Sequence, residues 1–166
     1  TGYYEFVNTK DPEIHKTIYA ANGNYRVYLK PGTYEVRREE TEADTTVIDT
    51  IEVTLGDMEK DYVIYTCKGE LLDVTEFKIP KNVYNYDITV KKDGEVYKNL
   101  SLTRWSGDTS GYNFSALPGT YQFYYGEKKI AEVTVTDSDV VQDLTMPVKY
   151  IKIKMCDAQK QLIPLT

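Results

Sequence analysis

One short segment occurs twice in this chain, as LKPGTYEV at residues 29–36 and as LPGTYQF at residues 117–123. In both copies proline fixes φ and glycine accepts a positive φ, which suits the two central positions of a type II turn. The Thr-Tyr pair that follows opens an alternating stretch typical of a β-strand. The segment therefore predicts a strand, a tight turn and a second strand at two places, and it favours a structural role for the turn over a binding role.

The repetition extends beyond the turn in both directions. Upstream, GNYRV at residues 23–27 resembles GYNF at residues 111–114, and downstream IEVT at residues 51–54 resembles AEVT at residues 131–134. The first copy is longer between the turn and the downstream match, and the acidic stretch EETEAD at residues 39–44 supplies the extra length. Because loop tips tolerate insertions, we expect this acidic stretch to be a solvated loop.

The composition favours strands throughout the chain. Tyr occurs 16 times among 166 residues, and Tyr, Val, Ile and Thr suit a pleated, half-buried surface. Alternation of apolar and polar residues predicts strands at residues 25–29, 49–55, 87–91, 100–105, 130–135 and 150–155. Residues 11–23 fit either a short helix that begins at Asp11-Pro12 or a strand that turns at Asn22-Gly23, and we favour the strand. The sequence therefore predicts an all-β protein.

The two Pro-Gly-Thr-Tyr strands resemble a known family. A strand that ends in Leu-x-Pro-Gly-Thr-Tyr and leads into an alternating strand is similar to the Cna B-type or prealbumin-like modules of prokaryotic surface proteins, and to carboxypeptidase regulatory-like domains. The Lys-Asp-Gly turn in VKKDGEV at residues 90–96 resembles a turn of their opening strand. The resemblance covers most of the chain and implies two tandem Ig-like or prealbumin-like β-sandwich modules. Such modules act as stalks, spacers, pilin subunits or carbohydrate-associated modules, and they are rarely catalytic.

This interpretation divides the chain into a first module at residues 1–83, a second at residues 84–147 and a C-terminal strand at residues 148–166. We align residues 2–7 with residues 100–105, so the first module lacks its opening strand. The C-terminal strand is the candidate assembly strand, and its apolar positions are Tyr150, Ile151, Ile153, Met155, Leu162 and Ile163. Three explanations stay open: a segment of a longer tandem array, a tail that folds back, or a strand donated to another copy, which gives head-to-tail filaments.

Charge and residue counts limit the chemistry. The chain has 20 Lys and Arg against 26 Asp and Glu, which argues against nucleic acid and anionic membranes as partners. It has no run of about 18 apolar residues that would insert into a membrane. His15 is the only histidine, so a catalytic triad would have to use it, and a zinc site from His15, Cys67 and Cys156 would need carboxylates. We read Asp137 and Asp139 as turn formers rather than Ca²⁺ ligands. We therefore expect no catalytic residue, metal site or cofactor, and no enzyme.

Two candidate sites remain. Trp105, Tyr112 and Tyr125 are the candidate ligand-binding residues, because aromatic faces on a β-sandwich can stack on sugar rings. Cys67 and Cys156 are the candidate disulfide pair of an extracellular protein, with two buried free thiols as the alternative.

The sequence thus predicts a non-catalytic structural component of an extracellular or cell-surface fibre, stalk or adhesin. Its expected partners are copies of itself or neighbouring modules of the same parent chain. The alternative is a carbohydrate-binding module whose partner is a polysaccharide, and a third interpretation is a virion or phage tail component.

Overall fold

A computed structural model of the chain describes residues 2–21, 25–72, 85–103 and 111–145. These ranges contain twelve strands and no helix, which confirms the all-β prediction. The strands are β1 (Gly2–Asn8), β2 (His15–Ala20), β3 (Gly32–Thr41), β4 (Asp44–Val53), β5 (Tyr65–Leu72), β6 (Asn85–Lys92), β7 (Glu95–Thr103), β8 (Gly111–Ala116), β9 (Gly119–Tyr125), β10 (Lys128–Val135), β11 (Val140–Val141) and β12 (Leu144–Thr145).

The strands form three sheets. The first has the order β2-β1-β3-β4 and the second has the order β10-β9-β6-β7. The third is built around β5, which pairs antiparallel with β8 along one edge and parallel with β11 and β12 along the other. Several sheets that bury one face each are consistent with a β-sandwich.

The buried side chains separate into two groups, which we call the first and the second cluster. The first cluster comprises Phe6, Tyr34, Val36, Ile48 and Ile51 of the first sheet, with Val27, Leu29, Tyr62 and Ile64 among the half-buried side chains packed against it. The second cluster joins the second and third sheets and comprises Cys67, Leu71, Tyr86, Ile88, Val90, Leu100, Leu102, Tyr112, Phe114, Ala116, Tyr121, Phe123, Val135 and Leu144. The larger core therefore lies between two sheets, and the smaller core lies on one face of a single sheet.

β5 precedes the predicted module boundary at residue 83, yet it packs in the cluster formed by residues that follow this boundary. Cys67 and Leu71 of this strand lie in the second cluster, whereas the predicted first module would include them. The physical reason is pairing, because a buried strand must satisfy its backbone N–H and C=O groups, and β8, β11 and β12 supply the partners. Residues 73–84, which connect β5 to β6, lie outside the described ranges, as does the predicted C-terminal strand.

The first two sheets repeat one strand order. Asn8 of β1 pairs with Tyr34, and Lys92 of β6 pairs with Tyr121, so β1 corresponds to β6. The neighbouring strands β2 and β7 then correspond as well. The predicted alignment placed residues 2–7 with residues 100–105 in β7. It differs from the observed pairing because alternation alone does not distinguish one antiparallel strand from its neighbour.

The repeated Pro-Gly-Thr-Tyr segments make the same tyrosine hydrogen bond in both sheets. The Tyr34 hydroxyl donates to the Lys30 carbonyl at 3.0 Å, and the Tyr121 hydroxyl donates to the Leu117 carbonyl at 2.7 Å. Both tyrosines are fully buried. The glycines of the segments have φ near 156° and 152°, far from the value of about +80° in a type II turn. The predicted turn type is therefore wrong, while the tyrosine ring and hydroxyl both hold the turn against the core.

Two local strand predictions have different outcomes. The favoured strand after Asp11-Pro12 is confirmed as β2, but it pairs with β1 and not with residues 25–29 as predicted. Residues 25–29 alternate but carry no strand pairing, whereas the matching stretch upstream of the second Pro-Gly turn is β8. The difference follows from the partner, since β8 lies beside β5 and a strand persists only where its backbone groups are paired.

β5 passes very close to Gln142, one of the two residues between β11 and β12. A Cβ atom at Gly69 would lie 2.0 Å from the Gln142 carbonyl oxygen. The Gln142 amide donates to the Lys68 carbonyl at 2.8 Å, and the Gln142 carbonyl accepts from the Tyr112 hydroxyl. Gln142 is therefore held in place on both sides, and only glycine fits opposite it.

We expect Gly69→Ala to lower the free energy of unfolding by about 1–3 kcal/mol, because the added methyl group forces β5 away from the β11–β12 segment. Urea denaturation measures the change. Gly111→Ala on the paired strand is the matched control, since its Cβ would meet only the Gly69 carbonyl oxygen at an ordinary 3.6 Å. Equal stability of the two variants would contradict this account of the crossing.

Candidate functional site

The tip of the β3–β4 hairpin contacts the second sheet through a buried lysine. Lys98 of β7 is 7% exposed. Its Nζ donates to both Asp44 carboxylate oxygens at 2.8 and 2.9 Å, to Thr46 Oγ1 at 2.9 Å and to the Thr45 carbonyl at 3.2 Å. A buried ammonium group is stable only when it is paired and hydrogen-bonded. All four acceptors come from one short stretch of the hairpin, so the hairpin and β7 are held together at this point.

A second carboxylate of the same hairpin binds β8. Glu40 Oε1 accepts from the Ser115 amide at 2.7 Å, and Glu40 Oε2 accepts from the Ser115 hydroxyl at 3.2 Å. The Ser115 carbonyl accepts from the Tyr97 hydroxyl at 2.7 Å. Every polar group of this buried serine is thereby satisfied, one of them by β7 and two by the hairpin. We call the contacts of Glu40, Asp44, Thr45 and Thr46 with Lys98 and Ser115 the clamp.

Residues 39–44 lie at the hairpin tip and are largely exposed, as expected of a solvated loop, but the clamp gives two of their carboxylates partners that were not expected. The acidic stretch is the extra length of the first copy, and it supplies the two carboxylates that Lys98 and the Ser115 amide require. A charge run on a loop tip is equally compatible with solvent and with a partner surface. The sequence feature that could have indicated a partner is that this acidic stretch occurs in only one of the two repeats.

The matching lysine of the first sheet shows that the hairpin causes the burial. Phe6 pairs with Lys16 as Val90 pairs with Lys98, so the two lysines occupy equivalent positions. Lys16 is exposed. The position in the sheet is therefore not enough to bury a lysine. Lys98 is buried because it contacts the hairpin.

The two clusters are also joined by the chain itself, without an intervening linker. Ile64 packs against the first cluster, and the next residue, Tyr65, packs against the second. The clamp and this crossing are two separate attachments between the clusters.

Aspartates near the end of the second copy bind β5. Asp139 Oδ1 accepts from the Thr66 amide at 2.7 Å, and Asp143 Oδ1 accepts from the Glu70 amide at 2.9 Å. The sequence interpretation made Asp139 a turn former, and its role in holding a strand was missed. The described residues include no group of three or more His, Cys, Asp and Glu placed to bind a metal ion.

An aspartate of β4 holds the last segment of the first copy, residues 57–64, which we call the wall segment. Asp49 Oδ2 accepts from the Tyr62 hydroxyl at 2.8 Å and lies 2.6 Å from Lys60 Nζ, and Asp49 Oδ1 accepts from the Thr50 amide at 2.8 Å. Burial raises the pKa of the Asp49 carboxyl, but these three donors outweigh it and the pKa lies below its ordinary value. The wall segment is thus anchored by a charged group.

The predicted aromatic site is not assembled from the residues that the structure describes. Tyr112 of β8 is 7% exposed and packs on Phe114 and Phe123, with ring centroids 6.1 and 5.5 Å apart. Tyr125 at the end of β9, in the other sheet, is 42% exposed and contacts Tyr86. Tyr112 therefore offers no free face to a sugar ring. Trp105 lies outside the described ranges.

Of the two cysteines of the predicted disulfide, Cys67 lies in the described ranges and Cys156 does not. Cys67 is a fully buried free thiol of the second cluster, and burial raises its pKa to about 12, partly opposed by the Tyr112 hydroxyl. Cys156 lies outside the described ranges, so the pairing stays a prediction. The same holds for the assembly positions Tyr150, Ile151, Ile153, Met155, Leu162 and Ile163. His15, expected in a loop, is exposed and begins β2.

Comparison with known proteins adds no relative. The chain matches no protein-family model, no curated protein and no solved structure. Within the described residues no helix has the length and apolar character needed to cross a membrane. The resemblance to Cna B-type modules stays a prediction.

We expect Asp49→Asn to remove part of the acid sensitivity of the protein. A carboxyl whose pKa is lowered by folding contributes stability above its unfolded pKa, near 3.8, and that contribution disappears as the pH falls through the folded pKa. The variant should lose about 1 kcal/mol at neutral pH and less under acid. Urea denaturation at a series of pH values measures both. Glu52→Gln, an exposed carboxylate of the same strand, is the control, and an equal effect of the two would contradict the anchor.

We expect Cys67 to react with a thiol reagent only when the second cluster unfolds, because the thiol is buried and its pKa is about 12. The Cys156→Ser variant isolates this thiol. A colour-forming aromatic disulfide reagent at mildly alkaline pH should react slowly in buffer and at once in strong denaturant. Rapid reaction in buffer would show that β5 is accessible and would contradict its place in the core.

Proposed function

We propose that this chain is a non-catalytic structural segment of an extracellular stalk or fibre, built from two tandem Ig-like or prealbumin-like β-sandwich modules. The first module comprises the first cluster with residues 2–64, and the second comprises the second cluster with residues 65–145. The prediction took residues 86–92 as the opening strand of the second module, but their counterpart β1 is present in the first sheet. The proposal instead takes β5 as the opening strand of the second module and holds that the first module lacks its counterpart. The repeated strand order and the two buried Pro-Gly-Thr-Tyr closures support a tandem arrangement.

The clamp is the observation that carries the proposal. A stalk must keep its modules in a fixed relation, and a single flexible connection would not do so. Here Lys98 is buried by the hairpin of the preceding module, while the chain crosses directly from Ile64 to Tyr65. Two attachments at different points oppose rotation of one module against the other. Because Lys98 needs acceptors in a defined geometry, the clamp also selects one orientation over others.

The carbohydrate-binding alternative has less support, since Tyr112 is buried in the core. An extracellular location is part of the proposal and follows from the resemblance to surface modules.

We expect Lys98→Met to loosen the two modules while leaving each one folded. The variant removes the donor to Asp44, Thr45 and Thr46, and it should lower the free energy of unfolding by about 1–3 kcal/mol. Spin labels attached to Glu13→Cys and Glu127→Cys, one in each module, report the distance between the modules in a Cys156→Ser background. The parent protein should give one narrow distance distribution and the variant a broad one.

Lys16→Met is the matched control, because the equivalent lysine of the first module is exposed. It should keep the narrow distribution. A broad distribution in the parent protein would contradict the rigid-segment proposal, and a narrow one in Lys98→Met would contradict the role that the proposal gives to the clamp.

A further inference from the structure

β5 shows what completes a module of this type. Its residues Cys67 and Leu71 enter the second cluster between β8 and the β11–β12 segment. Asp139 and Asp143 accept two of its amides. The opening strand of the second module is therefore held by core packing on one face and by two carboxylates of the last segment along one edge.

The first module has the flanking segments but no strand between them among the residues described. Leu29 and Val27 precede Gly32 at the same spacing as Ala116 and Phe114 precede Gly119. Ala116 and Phe114 are buried at 0% and 1% exposure, whereas Val27 and Leu29 are only half-buried. The inward side chains of this segment lack the cover that β5 and its neighbours give their counterparts.

The wall segment presents two matching carboxylates. Val53 pairs with Gly32 as Val135 pairs with Gly119, so the two valines are equivalent. Asp57 and Asp61 follow Val53 at the same spacings at which Asp139 and Asp143 follow Val135, so they occupy the equivalent positions in the first module. Asp57 and Asp61 are both exposed. Neither makes a hydrogen bond to any residue of the described ranges. The carboxylates that hold the opening strand in one module are thus available in the other.

We propose that the first module accepts an added β-strand parallel to the wall segment, that Asp57 and Asp61 accept amides of this strand, and that its occupant is residues 147–155 of a second copy of the chain. Strand addition of this kind combines backbone hydrogen bonds with alternating side-chain pockets. The contact joins two different surfaces, so it builds head-to-tail filaments.

The course of β5 identifies the occupant. β5 follows the wall segment directly in the chain, yet it completes the next module and not the one that it follows. Residues 147–155 follow β12 of the second module in the same way. Since the place of the opening strand in the second module is taken by β5, a strand from this segment is left to complete a module beyond it.

The sequence of the segment fits the acceptor. In an added strand, its alternation would place Ile151, Ile153 and Met155 on one side and Lys152 and Lys154 on the other. The wall segment carries the exposed carboxylates of Asp57, Glu59 and Asp61. An apolar face suits the half-buried core of the first module, and the lysines complement the acidic wall.

Light scattering of the full chain under reducing conditions tests the proposal. We expect a mass that rises with concentration, and we expect a synthetic peptide of residues 147–157 to shorten the assemblies by occupying the acceptor. Asp57→Ala with Asp61→Ala should weaken association roughly 10- to 100-fold, because two hydrogen bonds to charged groups are lost. Glu13→Ala with Glu52→Ala removes two exposed carboxylates elsewhere on the module and should leave association unchanged.

A mixing experiment identifies donor and acceptor separately. The donor variant Ile151→Asp with Ile153→Asp keeps only its acceptor, and the Asp57→Ala, Asp61→Ala variant keeps only its donor. Each alone should be largely monomeric, and their equimolar mixture should stop at the dimer.

A full chain that stays monomeric at all concentrations would overturn the proposal, as would assemblies that ignore both variants and the peptide. These results do not depend on the clamp. The stalk proposal fails on a broad distance distribution in the parent protein, and it stands if copies of the chain do not join.

Discussion

The strand β5 requires partners along both of its edges, and the rest of the structure depends on where it finds them. β8 pairs with one edge, and β11 and β12 pair with the other. Buried backbone groups are costly unless they are paired, so the chain leaves the first cluster at Ile64 and enters the second at Tyr65. The second cluster is consequently enclosed between two sheets. The matching face of the first cluster is covered by residues 25–30 and 57–64, which carry no strand pairing.

The contact between the hairpin and strands β7 and β8 is made by buried polar groups. Lys98 and Ser115 are buried, and their donors are satisfied by Asp44, Glu40 and neighbouring groups of one hairpin. A polar contact of this kind contributes less net free energy than its number of hydrogen bonds suggests, because each group gives up water to make it. Its larger effect is on orientation. If the hairpin rotated away, a buried ammonium group would be left without acceptors.

The wall segment of the first half and the β11–β12 segment of the second half are held by different contacts. In the second, Asp139 and Asp143 bind the amides of β5. In the first, Asp49 binds Tyr62 and Lys60 and keeps the wall segment against the sheet. Among the residues described, the wall segment is therefore in position without a neighbouring strand, so the strand proposed to add there would have less ordering left to do. Preorganisation of this kind lowers the entropy cost of association.

Local patterns in the sequence determined the all-β class, most strand positions and the repeated Pro-Gly-Thr-Tyr unit, because alternation and turn residues act over a few neighbours. They did not determine which strands pair, because the same alternation fits every antiparallel neighbour. Tertiary structure alone decided that β5 completes the second cluster, that Tyr112 faces the core, and that Glu40 and Asp44 meet Ser115 and Lys98. These outcomes depend on contacts between residues distant in the chain, where the need to pair buried backbone and charged groups selects one arrangement.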